Sequence, residues 1–273
     1  MSAYDDLTGR VVDGPMIRGP TRFAHHEPHE RHVSQNDEHR YSRILLKLSG
    51  EALCSSSGHG VETPPARWIA KEIRAAVETG VQMSVVVGGG NFIRGEVLER
   101  DGGFDRATTD AMGMLGTVIN AIALASIMDA EGVRARALSA VESGTTCERY
   151  TRQRGKELMR AGEVVVIGGG TSNPYFTTDS AATLRAAELD CDAVLKATKV
   201  DGVYSDDPKT NPDATRFATL CFDEAIDKGL RVMDTSAFAL ARDRKIPIVV
   251  FDYSKERNIE RVVRGEDVGT VVS

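Results

Sequence analysis

Two glycine triplets constrain this chain more than any other feature. Gly88-Gly89-Gly90 and Gly168-Gly169-Gly170 each close an apolar run, residues 81–87 and 164–167. In an open α/β sheet, ligands dock just past the carboxyl ends of the strands. Consecutive glycines there remove the Cβ atoms that would keep backbone N–H groups away from a phosphate. Two such turns predict two phosphorylated ligands.

The rest of the pattern agrees with a sheet of that kind. From Tyr41 onward short apolar, β-branched runs alternate with helical stretches, which predicts an α/β fold with a largely parallel sheet. Residues 44–48, 81–87, 164–167, 193–196, 248–251 and 270–272 read as strands. A helix is expected to open at Thr63-Pro64-Pro65, with Trp68, Ile69, Ile73, Ala76 and Val77 on its apolar face, and to stop at Gly80. Further helices are expected over 111–131, 148–160, 180–189, 235–242 and 259–263. The 111–131 helix is apolar on several sides, so Met112 and Met114 read as core.

Composition narrows the function classes. With 273 residues there is ample material for a core, and one domain with two lobes, residues 41–273, is the preferred reading. The 34 basic and 40 acidic side chains leave a net charge of −6, which argues against nucleic acid or a membrane surface as partner. Cys54, Cys147, Cys191 and Cys221 form no Cys-x-x-Cys pair, so neither a zinc site nor a disulfide framework is indicated. No apolar stretch approaches the roughly 20 residues that cross a bilayer, and no secretion signal is evident, so a cytoplasmic protein is expected. Residues 1–40 lack apolar periodicity and read as a disordered extension or an expression remnant. Five of the six histidines lie there, leaving His59 alone in the folded part. Catalysis by an ordinary histidine base is therefore nearly excluded, and any chemistry must work by other means.

Four segments carry candidate chemistry. Lys47-Leu48-Ser49-Gly50 leaves the first strand, where an ammonium and the N–H groups of a small turn can meet phosphate oxygens; a solvated strand-edge lysine is the bland alternative. It is not a P-loop, because Gly-x-x-x-x-Gly-Lys-Ser/Thr occurs nowhere. Past the first glycine triplet, Arg94 offers a planar fork for anionic oxygens, and Asp110 can accept from a ribose hydroxyl or cap a helix. The second triplet leads into Thr171-Ser172-Asn173-Pro174-Tyr175-Phe176-Thr177-Thr178, whose hydroxyls, amide and rings suit a base and a sugar. Asp179, next in line, either caps the following helix or stands near metal and phosphates. Lys196 to Pro208 ends a strand in polar residues with turns at Asp201-Gly202 and Asp207-Pro208, consistent with a loop around a purine nucleoside.

Taken in order, these segments resemble the bacterial uridylate (UMP) kinases of the amino acid kinase superfamily. The resemblance rests on Lys-Leu-Ser-Gly-Glu-Ala at 47–52, Gly-Gly-Gly-Asn-Phe-Ile-Arg-Gly at 88–95, Asp-Ala-Met-Gly-Met-Leu-Gly-Thr-Val at 110–118, Asn-Pro-Tyr-Phe-Thr-Thr-Asp at 173–179 and Lys-Ala-Thr-Lys-Val-Asp-Gly-Val-Tyr at 196–204. It implies a three-layer αβα sandwich, phosphorylation of UMP to UDP by ATP with magnesium in pyrimidine nucleotide biosynthesis, and a cytoplasmic homohexamer activated by GTP and inhibited by UTP. By the same resemblance, Lys47, Leu48, Ser49, Gly50, Gly90, Arg94, Thr198, Tyr204 and Asp207 should hold ATP. Gly89, Asp110 and Thr171, Ser172, Asn173, Pro174, Tyr175, Phe176, Thr177 and Thr178 should hold UMP. Lys47, Arg94, Asp179 and Lys196 should surround the transferring group, with magnesium held mainly by the nucleotide phosphates rather than by the protein. The Ser55 to Gly60 loop departs from the family's usual wording, and the 111–131 helix offers no set of arginines for an effector. The Asn-Pro-Tyr-Phe-Thr-Thr-Asp segment favours a nucleotide acceptor over the carbamate, glutamate or acetylglutamate used elsewhere in the superfamily. The joint presence of Lys47, Arg94 and Asp179 speaks against a non-enzymatic relative on the same scaffold.

Overall fold

The structure, a computed structural model, describes residues 40–273 apart from Ser56, Ser57, Asp101, Asp207, Lys209 and Arg231. The N-terminal extension expected over 1–40 therefore lies almost wholly outside the described residues. From Arg40 onward the residues form one compact unit.

In chain order, β1 (Arg43–Leu48) runs into a 3-10 turn (Gly50–Leu53) capped by Ser49, whose hydroxyl accepts from Glu51 N–H. Helix α1 (Thr63–Val77) opens at its two prolines, and Gly80, at φ +96°, turns the chain into β2 (Gln82–Val87). The short α2 (Gly95–Arg100) precedes α3 (Arg106–Ala130), which Asp105 caps by accepting from Thr108 N–H. Strands β3 (Ala135–Ser139) and β4 (Glu148–Arg149) lead to α4 (Arg152–Arg160), β5 (Val164–Gly168), α5 (Thr178–Glu188) and β6 (Ala193–Thr198). The last part comprises β7 (Thr219–Leu220), α6 (Phe222–Asp227), α7 (Thr235–Arg244), β8 (Ile248–Asp252), α8 (Asn258–Val263) and β9 (Gly269–Val272).

The strands make one sheet in the order β4-β3-β5-β2-β1-β6-β8-β9-β7, parallel throughout except where β9 runs antiparallel to β8. Alternation along the strands builds a core on each face. Ile44, Leu46 and Leu48 of β1 join Val85 and Val87 against α1, α3 and α8, through Ile69, Ile73, Leu124, Met128, Ile259 and Val262. Leu45 turns the other way and joins Val86, Val165, Ile167, Val194 and Val250 against Leu158, Ala182 and Phe238 of α4, α5 and α7. The expected three-layer αβα sandwich is what forms. At this end of β1, Lys47 alternates onto the α5 face, which decides what it meets.

Several expected boundaries move. Helix α3 starts five residues ahead of Ala111, so Asp110 lies inside its first turns and is not a cap. The stretch expected as one helix over 148–160 begins instead as β4, and Thr151 caps α4. Strand β3 went unread because Arg136 and the small alanines break its apolar run; Arg136 reaches Glu163 at 3.6 Å along the sheet. The short α2, α6 and β7 carry too few residues to show a period. Contrary to expectation, α3 is long and apolar enough to cross a bilayer, yet it packs on β3, β5 and α1 and buries Thr109, Thr117 and Asn120. One face of α3 is therefore core, while Met112 and Met114, expected in the core, are only half-buried and Leu115 and Ile119 are exposed.

Candidate active site

Strand pairing creates the centre of the site. β1 and β6 are parallel neighbours in which Lys47 stands opposite Lys196, so the sheet itself sets two ammonium groups side by side. That costs free energy unless an anion lies between them. Asp179, in the first turn of α5, supplies it: Lys47 Nζ is 2.9 Å from its Oδ1 and Lys196 Nζ donates to its Oδ2 at 2.6 Å. The Lys47 contact is one of charge, for Oδ1 is buried without an aligned hydrogen-bond donor. Lys196 also donates to the carbonyl of Val232. Burial, with repulsion from Lys47, pulls Lys196 below the usual lysine range, although Asp179 opposes the shift. Thr177, not Asp179, caps α5, its hydroxyl accepting from the N–H groups of Asp179 and Ser180. Asp179 is thereby left free of the capping role.

The first glycine turn sits beside this centre. Gly88 N–H donates to Leu48 O at 2.9 Å, binding the turn after β2 to the one after β1. A Cβ on Gly50 would collide with Asn91 Oδ1 and the Gly88 carbonyl, and one on Gly89 would lie 2.5 Å from Gly113 O. Gly90 has open space where its Cβ would be. The turn is held by a buried amide pair that sequence reading missed: Asn120 donates to Asn91 Oδ1 and to Gly88 O, both at 2.7 Å, and Asn91 donates back at 3.0 Å. The buried polar Asn120 in an otherwise apolar helix was the available signal. Arg94 leaves this turn toward the first one and pairs with Glu51 at 2.7 Å, with both side chains largely exposed.

On one side of the lysine pair lies a cleft of about 210 Å³ between the two glycine turns and α3. Gly89, Gly90, Asp110, Gly170, Phe176, Thr177 and Thr178 line it, as do Arg106, Thr109 and Thr117, which sequence reading passed over. Asp110 is aimed by Arg106, which donates to both carboxylate oxygens at 3.0 Å, and it accepts from Tyr175 N–H at 2.7 Å. Segment 171–178 is locally braced: Ser172 and Tyr175 take positive φ (68° and 72°), Ser172 donates to Ala140 O, and Asn173 N–H donates to Thr171. Pro174 lies within this braced stretch. Tyr175 and Phe176 expose 69% and 53% of their surface, unusual for rings without an occupant to cover.

On the other side, Thr198 at the end of β6 donates to Val200 O at 2.6 Å, and Tyr204 donates to Asp201 at 2.7 Å. Asp207 lies outside the described residues. A further residue missed as a site member, Asp234, ties the start of α5 to the start of α7. It caps α7 through Ala237 N–H at 2.8 Å and accepts from the hydroxyls of Thr177, Ser180 and Ser236. Burial pushes its carboxyl up, but these donors outweigh it and hold it below the ordinary range. Its capping role was legible from the following Thr235-Ser236; its reach to α5 was not.

Comparison with known proteins places this geometry. The model of the amino acid kinase family matches residues 42–252, which include the lysine pair, Asp179 and both glycine turns. The chain belongs to the amino acid kinase family. Among curated members it is 52% identical to the uridylate kinase of Azorhizobium caulinodans over 233 residues, 85% of this chain and 98% of that one. Its fold matches the crystal structure of UMP kinase from Bacillus anthracis at a TM-score of 0.82 and 36% identity, covering 85% and 96% of the two chains. The crystal structure of UMP kinase from Ureaplasma parvum gives 0.80 and 33%, covering 86% and 99%. Within the amino acid kinase family the chain thus groups with the uridylate kinases, and it is a phosphotransferase, as the resemblance implied.

Proposed function

We propose that this kinase transfers the γ-phosphoryl group of ATP to the phosphate of UMP, giving ADP and UDP. The observation that carries the reading is the Lys47–Asp179–Lys196 cluster standing between the α3 cleft and the β6–β8 loops. UMP lies in the cleft, its sugar on Asp110 and its base toward segment 171–178, while ATP lies over Thr198 and Tyr204 with its phosphates on the turn Lys47 to Gly50. The two nucleotides thus occupy separate lobes of one domain. The acceptor needs no side-chain base, because a phosphate monoester already presents an anionic oxygen near neutral pH. What it needs is relief of repulsion between two anions and an in-line approach. Lys47, Lys196 and Arg94 supply the positive charge, and Arg94 is free to exchange its exposed partner Glu51 for phosphate oxygens.

Magnesium fits this arrangement as a phosphate-bound ion. The carboxylate of Asp179 is engaged by Lys47 and Lys196, so in this reading the phosphates of ATP themselves hold the ion. When bound, the ion neutralises charge developing on the β- and γ-phosphate oxygens. Self-association fits as well, as a homohexamer: Leu115 and Ile119, one turn apart on α3, are 55% and 50% exposed, flanked by exposed Ala111 and Ser126. GTP as activator, UTP as inhibitor and a cytoplasmic location in pyrimidine nucleotide synthesis complete the reading. An ADP-release assay offering UMP, CMP, dUMP, carbamate and glutamate in parallel tests it. Turnover is expected with UMP, and its absence there would reject the assignment.

A further inference from the structure

Arg185 takes no part in the chemistry above, yet at 6% exposure it is the most buried cation among the described residues. It lies on α5, six residues beyond Asp179. Its Nη1 donates to Glu188 Oε2 at 2.8 Å and its Nη2 donates to Gly170 O at 3.0 Å, while Nε is buried without an acceptor. The guanidinium lies 4.6 Å from the centre of the Tyr150 ring, and Tyr150 in turn donates its hydroxyl to the same Glu188 oxygen at 2.8 Å. Burial, reinforced by that hydrogen bond to Glu188, raises the Tyr150 pKa far above the usual phenol value and keeps it a donor. A buried cation with one unmet N–H is held at a cost unless its remaining bonds fix something of value.

What those bonds fix is the entrance of the acceptor segment. Residues 171–178 leave the sheet at Gly170, with Gly169 and Gly170 both at positive φ (84° and 56°), a backbone that is soft when left unsupported. Thr117 of α3 accepts from Gly169 N–H at 2.7 Å, and Arg185 of α5 donates to the Gly170 carbonyl at 3.0 Å. The exit of the segment is fixed by Thr177, whose hydroxyl accepts the first N–H groups of α5. One helix therefore holds both ends of the segment, and the same helix carries Asp179. We infer that Arg185 is a positioning residue for the acceptor nucleotide: its fork, oriented by Glu188 and stacked on Tyr150, sets the Gly170 peptide and with it the course of segment 171–178. A lysine cannot do this, since an ammonium reaches two acceptors in divergent directions without the planar geometry that fixes them. The inference rests on the proposed UMP site and deepens it.

Steady-state kinetics of Arg185→Lys, Arg185→Met and Tyr150→Phe, with UMP and ATP varied in turn, test the assignment, alongside calorimetric UMP binding without ATP. Losing a buried charge-assisted hydrogen bond predicts a KM for UMP raised about tenfold in both Arg185 variants, and weaker UMP binding by a similar factor. The KM for ATP and kcat should stay within about twofold, the split expected of a residue acting on one ligand's site. Tyr150→Phe, which keeps the ring and frees Glu188 of one donor, gives the same pattern at a few-fold and serves if the Arg185 variants fail to fold. An unmoved KM for UMP in all variants overturns the inference, as do KM values for UMP and ATP that rise together, or full rescue by lysine. A wild-type enzyme silent with UMP overturns the functional reading and the inference with it; normal wild-type turnover with unchanged variants overturns the inference alone.

Discussion

Two lysines on adjacent parallel strands, opposite each other in register, carry the proposed chemistry at the level of single residues. Asp179 neutralises both, and in the proposed function an incoming polyphosphate takes over that role, which needs no rearrangement of the sheet. Replacing Lys47 by alanine should lower the rate about a hundredfold, the ordinary cost of one preorganised charge at a transferring group, with circular dichroism unchanged. Near-normal turnover in Lys47→Ala would remove Lys47 from the reaction centre. Lys196 makes a separate prediction through pH. Because burial and Lys47 lower its pKa, it loses its proton at a lower pH than a free lysine does, and the rate should fall on the alkaline side as pH rises through that value. Lys196→Arg keeps its charge to higher pH, so the alkaline limb of kcat/KM should move upward. Superimposable alkaline limbs would show that Lys196 does not govern it.

Helix starts, at the scale of elements, do more than begin helices. Thr177 caps α5 and donates a hydrogen bond from its hydroxyl to Asp234, which itself caps α7, so the two helices begin on a shared hydrogen-bond network. The carboxyl of Asp234 titrates below the ordinary carboxylate range in the folded state. Its contribution to stability is therefore full above that ordinary range and is lost as pH falls through the depressed folded value. Asp234→Asn should cost about 1–2 kcal/mol in urea unfolding at neutral pH, and the difference from wild type should shrink in acid. A gap that is the same at both pH values would mean that the charge is not what stabilises the network. Gly50 makes the corresponding point for turns: alanine there forces its Cβ into Asn91 and the Gly88 carbonyl, so Gly50→Ala should separate the β1 and β2 turns and lose both stability and turnover. An active Gly50→Ala with unchanged melting temperature would contradict that packing.

The whole molecule is organised by the point where strand order departs in two directions from β1. To one side run β2, β5, β3 and β4, to the other β6, β8, β9 and β7, and the two proposed nucleotides straddle that switch as ligands do in open α/β sheets. The exposed face of α3 belongs to this scale too. Charging it with Leu115→Glu and Ile119→Glu together should dissociate the proposed homohexamer in sedimentation analysis, and an unchanged mass would rule this face out as its interface. Much of this could be read from the chain alone. Glycines after apolar runs, Lys47 at a strand end and the 173–179 block pointed to the proposed site, because each needs only a local backbone conformation or a contiguous motif. β3 escaped notice because Arg136 and its alanines break the apolar run, and the roles of Asn120, Asp234 and Arg185 escaped because the partners that fix them, Gly88, Thr177 and Gly170, lie 32, 57 and 15 residues away. The sequence by itself determined the alternation of strands and helices, the turns that must come close to phosphate, and the residue types able to neutralise it. Only the tertiary structure decided that Lys47 and Lys196 share one carboxylate, and that one helix grips both ends of the acceptor segment, since strand order and register bring together what periodicity cannot relate.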